Sequence, residues 1–341
     1  MTEGSICLVP VINALAGPGS FQLKLKSALE SRGIRVHHNP LEDDTRAILI
    51  IAGTRHVGEI RAAKRRGIRI VQRLNGINWV QRRRYLGLRY TLRAEMANLL
   101  LAYTRRFLAD HVVYQSSFTR DWWHDWYGAH AAPYSVIHNG VDLQAYSPAG
   151  DEAPPEGHIR VQIVEGHLNW DNRIALENAV AFTQSLEQAA GKRVELVVIA
   201  DVLPALQDKM AQRSEGAWVT FAGVLPRQRI PAMSRSAHLQ FSADINASCP
   251  NSVVEALACG LPVAAFDSGA LAELVQGDAG VVVAYGANPW KLEKPDFPAL
   301  AQASLRVLAE QDRYRRSARA LAEERFSLEK MTTGYLQALL K

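Results

Sequence analysis

The chain reads as an α/β protein of two doubly wound parallel sheets, and three features of its sequence say so. Short apolar runs suited to strands alternate with helical patterns along its length, the order that winds a parallel sheet with helices on both faces. The alternation comes in two series, separated by the Pro-, Gly- and acid-rich stretch Ser147–Gly157 (SPAGDEAPPEG), a linker by composition. And 341 residues, 48% of them hydrophobic, are enough for two cores.

In the first series the strand candidates are Ile6–Ile12, Arg35–His38, Ala47–Ala52, Ile68–Gln72, His111–Tyr114 and Tyr134–Ile137. Helical patterns cover Phe21–Arg32, Val57–Arg66 and Tyr90–Leu108. Gly17-Pro18-Gly19-Ser20 precedes the first helix, where glycines let backbone amides approach an anion at a helix N-terminus. It is neither GxGxxG nor a Walker loop, so a plain turn is an equal alternative. From Arg55 to Arg106 the charge is strongly basic, with Trp79, Tyr85, Leu86, Leu88 and Tyr90 interleaved. Such a stretch suits an anionic lipid surface or an acidic acceptor; a solvated basic face is the competing reading. No nucleic-acid module is visible, and nucleic acid is not expected as a partner. The block Ala109–Phe118 runs from strand into polar turn, and Trp122, Trp123, Trp126 and Tyr127 after it suit packing of a helix onto the sheet. His138-Asn139-Gly140 predicts a chain reversal with positive φ.

In the second series the strand candidates are Arg160–Glu165, Val194–Ala200, Trp218–Phe221, His238–Ser242, Pro262–Phe266 and Gly280–Val283, with helix from Pro298 onward and Phe326–Leu340 as the last amphipathic piece. The most informative stretch is residues 250–275, PNSVVEALACGLPVAAFDSGALAELV. Pro250, Asn251 and Ser252 signal a helix start, and Gly260 and Pro262 stop the helix. Glu255 is expected in its first turn, where the helix dipole favours a negative charge. No apolar run approaches the roughly 20 residues that cross a bilayer, and MTEGSICLVPVI does not read as a signal segment. The odd number of cysteines (Cys7, Cys249, Cys259), without metal-ligand spacing, suits free thiols in a reducing cytosol.

VIHNGVD, ADHVVYQSS, VTFAGVLP and the 250–275 stretch occur in order. Together they resemble the retaining glycosyltransferases of family 4 (glycosyl transferases group 1). That resemblance implies the GT-B fold: two Rossmann-like domains facing across a cleft, here 1–148 on the acceptor side, 149–325 holding a nucleotide-sugar, and a closing helix, 326–341, that packs back on the first domain. It implies a hexosyltransferase-type enzyme moving a sugar from a nucleoside-diphosphate sugar to an acceptor hydroxyl. No cofactor and no metal are expected. The acceptor would be a glycan or a lipid-linked glycan of cell-envelope or polysaccharide biosynthesis. The location would be cytoplasmic, with the basic stretch as a candidate peripheral contact at the inner face of the membrane.

Carried over residue by residue, Glu255 would bind the ribose hydroxyls and the amides near Asn251, Ser252 and Val253 would face the diphosphate. Gly17 and Gly19 would close over the phosphates, Gly223 would lie beside the base, and Glu273 would be the carboxylate after the Gly269 loop. The sequence departs from the family in three places. Ala247 stands where a sugar-contacting Glu is usual, with Asp244, Asn246 and Ser248 nearby. His167 and Asn172 replace the Arg and Lys that meet the diphosphate, leaving Arg173 as the nearest cation to stabilise the leaving group. Asn75 replaces a first-domain His near the sugar. Arg173, His167 and Asn75 are thus the catalytic candidates. The departures also support an alternative: a nucleotide-sugar or glycan-binding GT-B protein with little or no transferase activity.

Overall fold

The computed structural model describes residues 4–13, 17–213 and 216–341. The chain forms two compact units, one running through Gly140 and including Leu328–Lys341, the other Val141–Ser327.

The first unit is built on six parallel strands: β1 (Ser5–Val9), β2 (Val36–His37), β3 (Thr45–Ile51), β4 (Arg69–Leu74), β5 (His111–Tyr114) and β6 (Tyr134–Val136). Their order is β2-β1-β3-β4-β5-β6, with every neighbouring pair parallel. The connecting helices are α1 (Pro18–Glu30), α2 (Val57–Arg65), α3 (Leu88–Tyr103) and α4 (Ser117–Tyr127). Side chains alternate between the two faces. Ile6 and Leu8 of β1 pack with Phe21, Leu25 and Leu29 of α1 and with Met331 and Tyr335 of the C-terminal helix (Leu328–Leu340). Cys7 and Val9 pack with Ile60 and Ala63 of α2. A sheet covered on both faces favours apolar residues on both, which is why β1 and β3 carry apolar runs, Cys7–Val9 and Ala47–Ile51, while β4 also buries the polar Gln72 and Arg73. Each fully buried leucine contributes about 2 kcal/mol.

The unit boundaries differ from the sequence expectation. Val141 donates its N–H to the Phe326 carbonyl at 2.8 Å and pairs with Ser327. Arg319 holds the Tyr146 and Leu143 carbonyls at 2.8 and 3.1 Å. Residues 141–148 and 326–327 are therefore tied to the second unit, and the divisions fall at 140/141 and 327/328 rather than 148/149 and 325/326. The Asn139–Gly140 turn is also not as expected: neither residue has positive φ. Asn139 is instead a buried acceptor, its Oδ1 receiving Nη2 of Arg73 at 3.1 Å and Nε2 of Gln115 at 3.0 Å.

The second unit has β7 (Ile159–Leu168), β8 (Val194–Val202), β9 (Trp218–Phe221), β10 (Leu239–Phe241), β11 (Val263–Asp267) and β12 (Gly280–Ala284). Their order is β12-β11-β10-β7-β8-β9, again all parallel. Its helices are α5 (Ile174–Ala190), α6 (Pro204–Arg213), α7 (Ile230–Arg235), α8 (Asn251–Ala258), α9 (Leu271–Leu274), α10 (Phe297–Ala309) and α11 (Gln311–Arg325). On one face Val161, Ile163, Leu196, Phe241 and Ala264 pack with Phe182 of α5 and Leu300 of α10. The Phe182 and Phe241 rings stack with centroids 4.8 Å apart. The second unit also buries a histidine. His238 accepts the Arg160 amide through Nδ1 at 2.9 Å, and burial, reinforced by Arg315 and Lys192, pushes its pKa down from 6.5 to about 4. The fold thus holds the neutral ring, and a depressed pKa contributes stability that is complete above the unfolded value of 6.5 and lost as pH falls through the folded value of about 4. The loss is expected to reach at most about 3 kcal/mol. Urea midpoints between pH 7 and 4 check this: a slope identical in His238→Gln would assign it to other groups.

All three cysteines are free and buried, and burial pushes the thiols of Cys7 and Cys259 up to about 12.

Candidate active site

Every strand of the second sheet runs the same way, so the loops that follow the strands emerge along one edge. The winding reverses between β7 and β10: β8 and β9 lie on one side of β7, and β10, β11 and β12 on the other. Loops diverge at such a switch point and leave a crevice for ligands. His167 is the penultimate residue of β7, Arg173 follows that strand, Gly223 follows β9, Asn251–Glu255 follow β10 and Glu273 follows β11. All of these residues belong to the second unit, whereas Gly17, Gly19 and Asn75 belong to the first.

Helix α8 begins at Asn251 because Pro250, extended at φ −68 and ψ 127, forms its N-cap. A prolyl side chain accepts no hydrogen bond, so no side chain caps the helix. The amides of Asn251, Ser252 and Val253 therefore have no acceptor within the helix. Val254 is the first to bond back, to the Pro250 carbonyl at 3.4 Å. This start corrects the expectation for Glu255, which is the fifth helical residue and lies past the first turn, so the helix dipole helps its charge less. Tyr146, which is 8% exposed, lies near enough for the Glu255 charge to act on its phenol. Burial, then the Glu255 charge, raise the Tyr146 phenol well above its usual pKa.

The loop before α8 is fixed by the loop after β11. Asn246, buried at φ 56, donates its N–H to Ser268 Oγ at 2.9 Å, and Ser268 Oγ donates to Asn246 Oδ1 at 3.1 Å. The Ala270 amide reaches the Ala247 carbonyl at 2.8 Å. Gly269 has φ +70, and a Cβ there would stand 2.4 Å from both N and O of Ala247, so only glycine lets the loops approach this closely. Ala247 is thereby buried with its backbone clamped. Of its neighbours, Asp244 is exposed and Ser248 half-buried. Sequence reasoning missed Glu165 near the end of β7, whose carboxyl is raised well above its usual pKa by burial and then by the Asp244 charge. The one signal was a lone carboxylate closing an apolar run.

The segment after β7 forms a compact turn. His167 Nδ1 lies 2.9 Å from Asp201 Oδ2. Asn172 donates to the His167 carbonyl at 2.7 Å and accepts the Asn169 amide at 2.8 Å, so it closes the turn. Arg173 is the N-cap of α5; its Nη1 meets the Trp170 carbonyl at 2.8 Å and its Nε lies 3.3 Å from Glu177. Glu273 is half-buried in α9, and its carbonyl accepts Arg325 Nη1 at 2.9 Å.

In the first unit, Gly17 (φ 53) is the N-cap of α1 and Pro18 opens the helix. Gly19 therefore lies inside the first helical turn and is buried, so Gly17 alone is a loop glycine. The Asn75 carbonyl accepts Trp123 Nε1 at 2.8 Å. Trp122 and Trp123 are buried, as their spacing predicts. The basic stretch divides. Arg73 and Arg105 are buried, Arg73 lying 3.9 Å over the Phe21 ring, while Arg82 pairs with Glu95 and Lys64 with Asp110. Arg61, Arg65, Arg83, Arg89, Arg93 and Arg106 stay exposed.

Among the described residues no helix is long and apolar enough to cross a membrane, and no group of three or more His, Cys, Asp or Glu is arranged to hold a metal ion. No curated protein matches the sequence. Residues 164–310 match the family model of glycosyl transferases group 1, and residues 47–145 that of glycosyltransferase family 4, together more than two thirds of the chain. Solved structures with a similar fold include sucrose-phosphate synthase from Thermosynechococcus elongatus, with a TM-score of 0.74, 16% identity and 98% of each chain covered. HepE of Anabaena, in complex with UDP and glucose, has a TM-score of 0.69 and 17% identity over 98% of this chain and 99% of its own. WaaG, a glycosyltransferase involved in lipopolysaccharide biosynthesis, has a TM-score of 0.68 and 13% identity over 99% of this chain and 100% of its own. The two parallel sheets with their helices are the paired Rossmann-like domains of the GT-B fold, and the chain belongs to the group 1, or family 4, glycosyltransferases.

Proposed function

We propose that this glycosyltransferase moves a sugar, with retention and without a metal, from a nucleoside-diphosphate sugar to an acceptor hydroxyl. The observation that carries this reading is the start of α8, whose uncapped amides at Asn251–Val253 lie one turn from the Glu255 carboxylate on the switch-point edge. Amides at a helix start suit a diphosphate, and a carboxylate suits a cis-diol. Gly223 lies beside the base, and Glu273 is the second carboxylate of the donor site. UDP bound to HepE, a neighbour in fold, supports a nucleotide donor. In the reaction the bond from the anomeric carbon to the diphosphate breaks and the bond to the acceptor oxygen forms on the same face. The acceptor proton passes to the departing diphosphate oxygen. Arg173, with His167, offsets the charge gathering there, and catalysis rests on positioning and electrostatics.

Ala247, buried where a sugar-contacting carboxylate is usual, favours a second reading: a nucleotide-sugar-binding protein with little or no transfer. A panel of UDP-, GDP- and ADP-sugars with EDTA present separates the two. Thermal stabilisation with slow donor hydrolysis is the expected result, stabilisation without hydrolysis or transfer supports the binding protein, and no response to any nucleotide overturns both.

The acceptor side is proposed to meet an anionic lipid surface through α3. Leu88, Leu92, Met96 and Leu99 are each more than half exposed and recur at helical spacing, with exposed Arg89 and Arg93 alongside. Near the end of α3, Arg61, Lys64 and Arg65 line an open depression with Tyr103 and Phe107. A second copy of this face would set arginine against arginine, whereas an anionic bilayer complements both features. Sedimentation with phosphatidylglycerol vesicles is expected at low salt, and to be lost at high salt and in Leu92→Glu. Equal sedimentation with phosphatidylcholine, or none, would refute the contact.

A further inference from the structure

We propose that the depression between α2 and the end of α3 binds the headgroup of a phosphomonoester lipid, giving the first unit a preference among anionic membranes. The inference rests on the lipid-surface reading of α3 and deepens it by naming a headgroup class. The depression, about 630 Å³ in volume, is lined by Arg61, Lys64 and Arg65 of α2 and by Tyr103, Phe107 and Leu108. α2 leads into β4 and the end of α3 into β5, so the depression lies where strands of the first sheet begin. Open parallel sheets bind their reacting ligands at the other edge, where strands end. This site therefore anchors a headgroup and does not present an acceptor hydroxyl.

Helix α3 runs into a single π-helical turn, Thr104–Leu108, in which the Ala109 N–H reaches back five residues to the Thr104 carbonyl at 3.0 Å. Such turns are rare and recur at functional sites. This one divides its side chains. Arg105 goes inward, where Nε donates to the Tyr114 hydroxyl at 2.9 Å and Nη2 to the Gly128 carbonyl at 2.8 Å. Phe107 goes outward, 62% exposed, its ring centroid 5.1 Å from that of Tyr103. Tyr103 and Phe107 continue the stripe of Leu88, Leu92, Met96 and Leu99 at intervals of three and four residues, so the apolar face runs up to the depression. That continuity assigns the site to a lipid in a bilayer and not to a soluble phosphate ester.

The charges select the headgroup. Arg61 donates to the Tyr103 hydroxyl, which steadies its guanidinium at the edge of the ring. Lys64 Nζ donates to the Leu108 carbonyl at 2.8 Å and pairs with Asp110 at 2.6 Å. Arg65 is exposed. Asp110 thus offsets Lys64, whereas Arg61 and Arg65 have no ion-pair partner among the described residues. A lipid phosphodiester, with a single negative charge, answers one of those two arginines. A phosphomonoester carries a charge of about −1.5 to −2 and three free oxygens, and answers both.

The test is sedimentation with phosphatidylcholine vesicles doped with phosphatidic acid or with phosphatidylglycerol, at matched surface potential. Wild type is expected to bind the phosphatidic acid vesicles about fivefold more tightly. Arg61→Gln combined with Arg65→Gln is expected to bring that ratio to about one. Arg83→Gln combined with Arg89→Gln removes the same charge from exposed positions outside the depression and is expected to keep the ratio. Wild type without the preference would overturn the proposal and leave the α3 contact standing. So would a preference that survives the Arg61/Arg65 change, or one lost equally in the Arg83/Arg89 variant, which would make it an effect of bulk charge. Saturable binding of glycerol 3-phosphate without vesicles would assign the site to a soluble ester and overturn the lipid assignment. Absence of sedimentation with any anionic vesicle is the separate outcome in which the α3 reading fails and takes the headgroup site with it. All four arginines are exposed, so unchanged melting is expected and separates a binding effect from misfolding.

Discussion

Glu255→Ala is expected to weaken nucleoside-diphosphate binding about a hundredfold, the loss of two charge-assisted hydrogen bonds to the ribose. The melting temperature is expected to move by only a few degrees. The contrast arises from where the residue sits. Val253, Val254 and Leu257 bury the apolar side of α8, and Glu255 is the half-buried position between them, so its side chain adds little to packing. Isothermal titration alongside thermal melting reads both quantities. Unchanged affinity would remove Glu255 from the ribose role, and a collapse of stability would show that the carboxylate serves the fold instead.

Arg173→Ala is expected to lower turnover about a hundredfold while changing donor affinity by no more than a fewfold, the pattern of a group that acts on charge appearing in the transition state. Arg173 pairs with Glu177 across one turn of α5 at the half-exposed surface. Such pairs contribute only about 0.3–0.5 kcal/mol, so a diphosphate can draw the guanidinium away at little cost. The N-terminus of α5, at which Arg173 is the cap, adds a partial positive charge in the same place. Single-turnover rates with equilibrium donor binding check the split, and unaltered turnover would take Arg173 out of the leaving-group role. Neighbouring His167 and Asn172 are less able to substitute, since one ring nitrogen of His167 already faces Asp201 and Asn172 is committed to closing the turn.

The sheets were legible because two-faced burial leaves a direct mark, the unbroken apolar runs of β1, β3, β8 and β11. The helix of Glu255 was legible from its Pro-Asn-Ser start and Gly-Leu-Pro stop. Its first residue was not, because whether proline caps a helix or begins one depends on backbone angles that composition does not specify. Unit boundaries were misplaced for a related reason. A linker is recognised by its residue types, but residues 141–148 are tied to the second unit by Phe326, Ser327 and Arg319, distant in sequence. Tyr146 escaped attention on the same ground: only the fold brings it to Glu255. The basic stretch misled in part, since Arg73 and Arg105 count as surface charge in the sequence and are interior in the structure.

The return of the chain to its first unit has a consequence for biosynthesis. Gly140 and Met331 lie together in the first unit, the Gly140 amide 3.0 Å from Met331 Sδ, while Val141 and Ser327 pair in the second. In topological terms the second unit is an insert between adjacent points of the first. During synthesis on the ribosome the insert is contiguous and can complete its core once Ser327 has emerged. The first sheet must wait for the C-terminal helix to cover Ile6, Leu49 and Val71. The unit translated first is therefore the one finished last, and during that interval an apolar sheet face depends on other parts of the cell for shelter.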